Sequence, residues 1–200
     1  MSELVFDEES HKYYLNGVQL PGVTSILKSV GLVDYSGIPI QVIEQASDRG
    51  KRVHKITEFY DAGTLDESSI PDELGGYAGA WVDYMEASQA VICEIELRVK
   101  SKKLRFAGTL DRVALIDDRL AIVDIKTTSQ SHPGHAVQTM AYSMAYSEMS
   151  GNKIQDRYCV YLRSDGTYTV VKHSSPANDR LDKSIWLSAL AVYGYSKKEK

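Results

Sequence analysis

The residues able to do chemistry are concentrated in one stretch, "RFAGTLDRVALIDDRLAIVDIKTTS", residues 105–129. Two apolar runs flank an acidic turn, and each carries an aspartate where a hydrophobic residue is expected: Asp111 and Asp124. Lys126 follows two residues after the second. A turn centred on Asp117-Asp118 sets Asp111 directly across from Asp124. Facing side chains in an antiparallel pair sit about 4.5–5.5 Å apart at Cβ, where like charges destabilise the sheet. Strand alternation puts Asp124 and Lys126 on one face and Val123 and Ile125 on the other. A hard divalent cation relieves such repulsion, because Mg²⁺ and Mn²⁺ prefer carboxylate, carbonyl and water oxygens. The alternative is an edge hairpin with solvated acids. Against it, "LAIVDIKTT" reads as a buried central strand, and buried charges need partners. Lys126 is then either a counter-ion to Asp124 or the group that orients a water and offsets charge developing on a phosphoryl oxygen.

A third carboxylate reaches this face from "VICEIELRV". Its alternation sets Glu94, Glu96, Arg98 and Lys100 opposite Cys93, Ile95, Leu97 and Val99. A turn centred on Lys102-Lys103 brings Glu94 across from Asp111, and a turn one residue later brings Glu96 there. Two helical segments add polar groups. In "SDRGKRVHKITEFY", Gly50, His54 and Glu58 align at i, i+4 spacing, away from Val53 and Tyr60. The neighbouring Arg49, Lys51, Arg52 and Lys55 are either phosphate-positioning cations or a solvated face. In "HAVQTMAY", Gln138 and Tyr142 project from one face, one turn apart.

These residues must be held by a framework, and the chain is long enough for one. Two hundred residues with 43% hydrophobic and 25% charged content suit a globular enzyme with a real core. A net charge of -4 argues against a protein that coats nucleic acid non-specifically, though a local basic groove stays compatible with it. Two cysteines, Cys93 and Cys159, lie in apolar runs and read as buried free thiols; they are too few for a disulfide framework or a cluster. No charged-then-apolar leader opens the sequence, and "IWLSALAVYGY" is too short to span a bilayer, so a cytoplasmic protein with no membrane partner is expected.

Asn16-Gly17 marks a hairpin in an N-terminal extension over about 1–38, where Thr24 is expected to cap a short helix through Ser29. A helix is expected from Pro39 to Tyr60 and another over "YAGAWVDYMEASQ", separated by the polar loop "GTLDESSIPDELGG". Three strands follow, over "VICEIELRV", "KLRFAGTLDRVALI" and "RLAIVDIKTT", then the "HAVQTMAYSMAYSEMS" helix. A hairpin turning at Asp165-Gly166 and a helix from Asn178 or Asp179 to about Tyr193 make a C-terminal unit over about 156–195. Lys197–Lys200 reads as a frayed tail. The expected class is α/β, a mixed central sheet flanked by helices in a single domain over 1–200.

Taken in order, "RGKRVH", "EIELRVKSKKLRFAGTLD", "IVDIKTT" and "QTMAY" resemble the PD-(D/E)XK nuclease superfamily in its RecB-like, phage-exonuclease branch. "HKYYLNGVQLPGVTSIL" is similar to the opening of phage-encoded members. The resemblance implies a restriction-endonuclease-like core and hydrolysis of DNA phosphodiesters with Mg²⁺ or Mn²⁺. It implies that His54, Asp111, Asp124 and the Ile125 carbonyl bind the metal, that Lys126 is catalytic, and that Gln138 and Tyr142 support the site and contact substrate. It favours Glu96 over Glu94, because Val99 and Ser101 follow in the V-x-S segment. Arg49, Lys51, Arg52, Lys102, Lys103 and Arg105 become candidates for guiding the DNA backbone. The family's proline is replaced by Leu110. No cysteine set for an iron–sulfur cluster, no helicase motif and no P-loop accompanies the core, so a stand-alone nuclease domain is expected; the resemblance by itself suggests phage origin and a role in recombination, repair or degradation. A homo-oligomer or a recombination or replication partner stays open. So do a catalytically silent DNA-binding module and an endonuclease or ribonuclease on the same fold.

Overall fold

A computed structural model describes residues 3–128 and 131–198. Residues 199 and 200 of the expected tail lie outside the described residues. The core is a five-stranded mixed sheet in the order β4 (Val91–Ser101), β5 (Phe106–Ile116), β6 (Arg119–Lys126), β7 (Asp156–Leu162) and β8 (Tyr168–Lys172). Only the β6–β7 pair is parallel, and the crossover between those strands is α4 (Pro133–Ser150). β6 occupies the centre, which is why "LAIVDI" is apolar on both faces. One face packs on α1 (Val23–Ser29), α4 and α5 (Pro176–Ser196) through Leu110, Ile122, Ala141 and Trp186. The other packs on α2 (Ile40–Asp61) and α3 (Asp72–Ser88) through Val53, Trp81, Val123 and Val160.

The expected hairpin of β5 and β6 forms in the expected register: Ile116 pairs with Arg119, and Arg112 with Val123. The turn residues Asp117 and Asp118 both take positive φ, as a two-residue hairpin loop requires.

Five expectations need correction: α5 starts at Pro176 behind the N-cap Ser175, not at Asn178 or Asp179. The N-terminal segment folds into three strands, β1 (Leu4–Asp7), β2 (Lys12–Leu15) and β3 (Val18–Leu20), not two, because a turn over residues 8–11, ending at His11, separates β1 from β2. Thr24 lies inside α1, whose N-cap is Gly22 with no side-chain cap. α3 begins at Asp72, inside the presumed loop: Gly75 and Gly76 are helical, and at Gly76 a side chain would collide with the Ser164 backbone. Cys159 is buried as expected, but Cys93 is exposed, since it sits on edge strand β4 where the register slips between Ile92 and Glu94. Among the described residues, no helix is long and apolar enough to cross a membrane.

Candidate metal centre and active site

The β5–β6 ladder runs as far as Arg112↔Val123 and then opens. Beyond that point the Asp111 carboxylate replaces the ladder bond: its Oδ2 accepts from the Ile125 backbone N–H at 2.6 Å. Asp111 is thereby fixed at the mouth of the sheet, 8% exposed.

On the other side, β4 pairs with β5 through Ile95↔Arg112 and Leu97↔Leu110, which leaves Glu96 across from Asp111. This is the later of the two turn registers compatible with the sequence. Glu96 has φ +47, a left-handed conformation that costs a non-glycine residue on the order of 1–3 kcal/mol and persists only where its surroundings enforce it. The kink turns its carboxylate toward α2, where Oε1 lies 3.5 Å from His54 Nδ1. Glu94 instead stays in the ladder, paired with Val113.

His54 completes the group. Its Nδ1 is 3.6 Å from Asp111 Oδ1, and its Nε2 is 3.1 Å from the Ile125 carbonyl oxygen. The ligand atoms of His54, Glu96 and Asp111 lie within 4.8 Å of one another. Burial disfavours the imidazolium, but the Asp111 charge and the Glu96 carboxylate outweigh it and raise the His54 pKa to about 9. Both ring nitrogens then face acceptors, so the arrangement demands positive charge at this point. One nitrogen, two carboxylates and a carbonyl oxygen make a donor set that suits Mg²⁺ or Mn²⁺.

Asp124 stands beside this trio rather than within it. It is 1% exposed, and its Oδ2 contacts Lys126 Nζ at 2.6 Å. Its Oδ1 is buried without a hydrogen-bond partner, an orphaned acceptor of the kind a cation would satisfy. Burial alone would strip the proton from Lys126, but Asp124 and Asp111 hold the ammonium well above the ordinary lysine range. In this structure the carboxylates therefore decide the direction of the Lys126 shift.

Lys126 also donates to Gln138 Oε1 at 3.1 Å, and Gln138 Nε2 donates to the Tyr142 hydroxyl at 3.1 Å. The pair on α4 therefore aims the lysine. Tyr142 in turn lies against Gly108, where an added Cβ would come within 2.6 Å of its ring. The glycine of "GTLD" and the tyrosine of "QTMAY" thus belong to one contact. Gly108→Ala should cost about 1–3 kcal/mol by overpacking and displace the Gln138–Lys126 chain. Urea denaturation checks the first effect; an unshifted midpoint would show that Tyr142 gives way freely.

The basic candidates divide. Lys51 lines the cleft over the trio. Arg49 folds back, its Nη2 3.5 Å from the Thr127 carbonyl and its guanidinium over the Tyr77 ring. Arg52 pairs with Glu73 at 3.0 Å and ties α2 to α3. Lys102 and Arg105 belong to the β4–β5 loop, six residues along the strands from Glu96 and Asp111, on the order of 20 Å away. That loop is held to α4 through Glu148, which accepts from the Lys102 and Lys103 backbone N–H groups.

Several residues of the site were missed in the sequence. Arg112 is fully buried; it pairs with Asp61 and donates to Glu96 Oε1, the Asp111 carbonyl and Thr57 Oγ1. Asp61 also accepts from Trp81 Nε1 at 2.9 Å. The signal was available, since Arg112 is a charge inside an apolar run, next to the Asp111 that drew notice for the same reason. His135 and Tyr161 lie near Lys126, joined through a 2.8 Å hydrogen bond. Burial and the Lys126 charge lower the His135 pKa to about 4, keeping the imidazole neutral.

A sequence profile of the PD-(D/E)XK nuclease superfamily matches residues 72–191, more than half of the chain. No curated protein matches the sequence. The fold is similar to that of a provisionally assigned exonuclease from Eubacterium rectale, at 10% identity and TM-score 0.49, over 82% of this chain and 69% of that one. It is also similar to the alkaline exonuclease of Laribacter hongkongensis, at 14% identity and TM-score 0.39, over 89% and 91% of the two chains. The complex of that enzyme with dAMP gives 13% identity and TM-score 0.40, over 90% and 92%.

Proposed function

This chain belongs to the PD-(D/E)XK nuclease superfamily, and from that premise we propose that it is a divalent-metal-dependent deoxyribonuclease that digests DNA from an end. The observation that carries the metal-dependent reading is the convergence of His54, Glu96 and Asp111 within 4.8 Å, beside a buried lysine held by Asp124. His54, Asp111, Glu96, the Ile125 carbonyl and the orphaned Asp124 oxygen are the atoms that would hold Mg²⁺ or Mn²⁺. When bound, such an ion supplies positive charge to the scissile phosphate and acidity to a water.

The chain's own groups do the rest. Gln138 fixes the Lys126 ammonium, which orients the attacking water and offsets charge on the phosphoryl oxygen. The water oxygen bonds to phosphorus and releases a proton to solvent, the bond to the 3′ oxygen breaks, and that oxygen takes up a proton in its place. Lys51, at the cleft, guides the backbone. The exonuclease reading rests on the resemblance of the ordered motifs to the phage-exonuclease branch, which also favours phage origin and a role in recombination, repair or degradation.

End-labelled single-stranded, duplex, circular and RNA substrates with and without Mg²⁺ test this proposal. Degradation of linear DNA, sparing of circles and RNA, and full suppression by chelator are expected. Cleavage of circles would mean an endonuclease, and cleavage of RNA a ribonuclease. DNA binding without turnover in either Mg²⁺ or Mn²⁺ would mean a silent binding module.

A further inference from the structure

The cleft above the trio, with a volume of about 410 Å³, has a second wall that the catalytic reading leaves unused. That wall is the N-terminal sheet, which presents Phe6, His11 and Tyr13 opposite Lys51 and His54. The sheet is firmly seated: the Ala107 N–H donates to the Pro21 carbonyl at 3.0 Å, and the Tyr13 hydroxyl lies 3.0 Å from Thr109 Oγ1, two residues from Asp111. From this anchor the rings step outward. Tyr13 is buried, Phe6 lies 4.6 Å from it and is half-buried, and His11 lies 4.9 Å from Phe6, edge to face, and is exposed. The Arg98 guanidinium sits 5.4 Å from the Phe6 ring centre and stiffens the row.

His11 itself carries φ +52 in the β1–β2 turn, in the left-handed region where histidine, like asparagine and aspartate, is enriched. From that turn the ring lines the cleft. Partial burial against the sheet and the nearby Lys51 and Lys28 charges disfavour protonation of the ring. A neutral ring flanked by cations suits a nucleotide, with the base on the ring and the phosphate toward the lysines.

We propose that His11, braced by Phe6 and Tyr13, is a stacking platform for an unpaired base of the DNA strand next to the scissile phosphate. The proposal rests on the nuclease reading and deepens it. It makes single-stranded DNA, or a frayed end, the form the cleft takes, because a base stacked inside a duplex has no face free for the ring.

The test is fluorescence anisotropy of a labelled thymidine oligonucleotide and of its fully abasic counterpart, with Ca²⁺ present. His11→Asn removes the ring yet tolerates positive φ, and His11→Phe keeps the ring without a titratable nitrogen. Wild type should bind the base-containing strand at least about tenfold more tightly than the abasic one. His11→Asn should lose most of that ratio, and His11→Phe should keep it. An equal ratio in all three proteins, or no preference in wild type, overturns the platform. Cleavage by wild type in Mg²⁺, run in parallel, reports on the nuclease reading separately, because the binding ratio needs no turnover.

Discussion

Asp111→Asn should lower metal-dependent cleavage by about 10³-fold or more while leaving the fold intact. The loss follows from the role of the carboxylate: it faces His54 and stands across from Glu96, so its charge is central to any cation held there. A metal's Lewis acidity supplies several kcal/mol of transition-state stabilisation, and each 1.36 kcal/mol is tenfold in rate. The fold survives because an amide oxygen still accepts from the Ile125 N–H. The same change removes the largest influence holding the His54 imidazolium, so the His54 pKa should fall from about 9. Calorimetric titration with Mn²⁺, the cleavage rate and a thermal melt separate these effects. Undiminished Mn²⁺ affinity in a folded Asp111→Asn protein would remove Asp111 from the metal centre.

Arg112→Met should destabilise the protein by about 3–5 kcal/mol, the range found when one member of a buried ion pair is deleted. Both side chains of the Arg112–Asp61 pair are fully buried. Methionine matches the length of the arginine stem but leaves the buried Asp61 carboxyl, its pKa already pushed up by burial, without its counter-charge and held by Trp81. The Glu96 carboxylate also loses its donor, so a kinked backbone at φ +47 loses part of what enforces it. Urea denaturation measures the first effect, at constant m if the transition stays two-state. Adding Asp61→Leu should recover much of the loss, since an apolar pair of similar volume needs no counter-charge. A single variant within 1 kcal/mol of wild type would mean that water reaches Asp61 and the network is dispensable.

Much of this could be read along the chain. Period-two alternation and the Asp117-Asp118 turn specified the β5–β6 register, which holds from Ile116↔Arg119 to Arg112↔Val123 and opens just before the two aspartates. Apolar residues on both faces of "LAIVDI" marked a central strand, and helical spacing put Gln138 and Tyr142 on one face of α4. These features are local, governed by 3.6- and 2-residue periods and by turn chemistry. Glu96 was harder, because alternation assigns Glu94 and Glu96 alike, and a one-residue change in turn position exchanges them.

The amino-acid sequence by itself determined the strands of the central sheet, the hairpin register, the family and the inventory of acids, histidine and lysine. Only the tertiary structure decided which of them meet. It drew His54 and Glu96 to Asp111 through a left-handed backbone kink, left Asp124 beside the trio paired with Lys126, and turned Arg52 away to Glu73. It also buried Arg112 beneath the site and stood the N-terminal rings over it. The reason is physical: periodicity fixes the direction of a side chain within its own element. Contact between elements depends on where a ladder opens, where a strand kinks and which counter-charge is nearest, and none of these has a period to read.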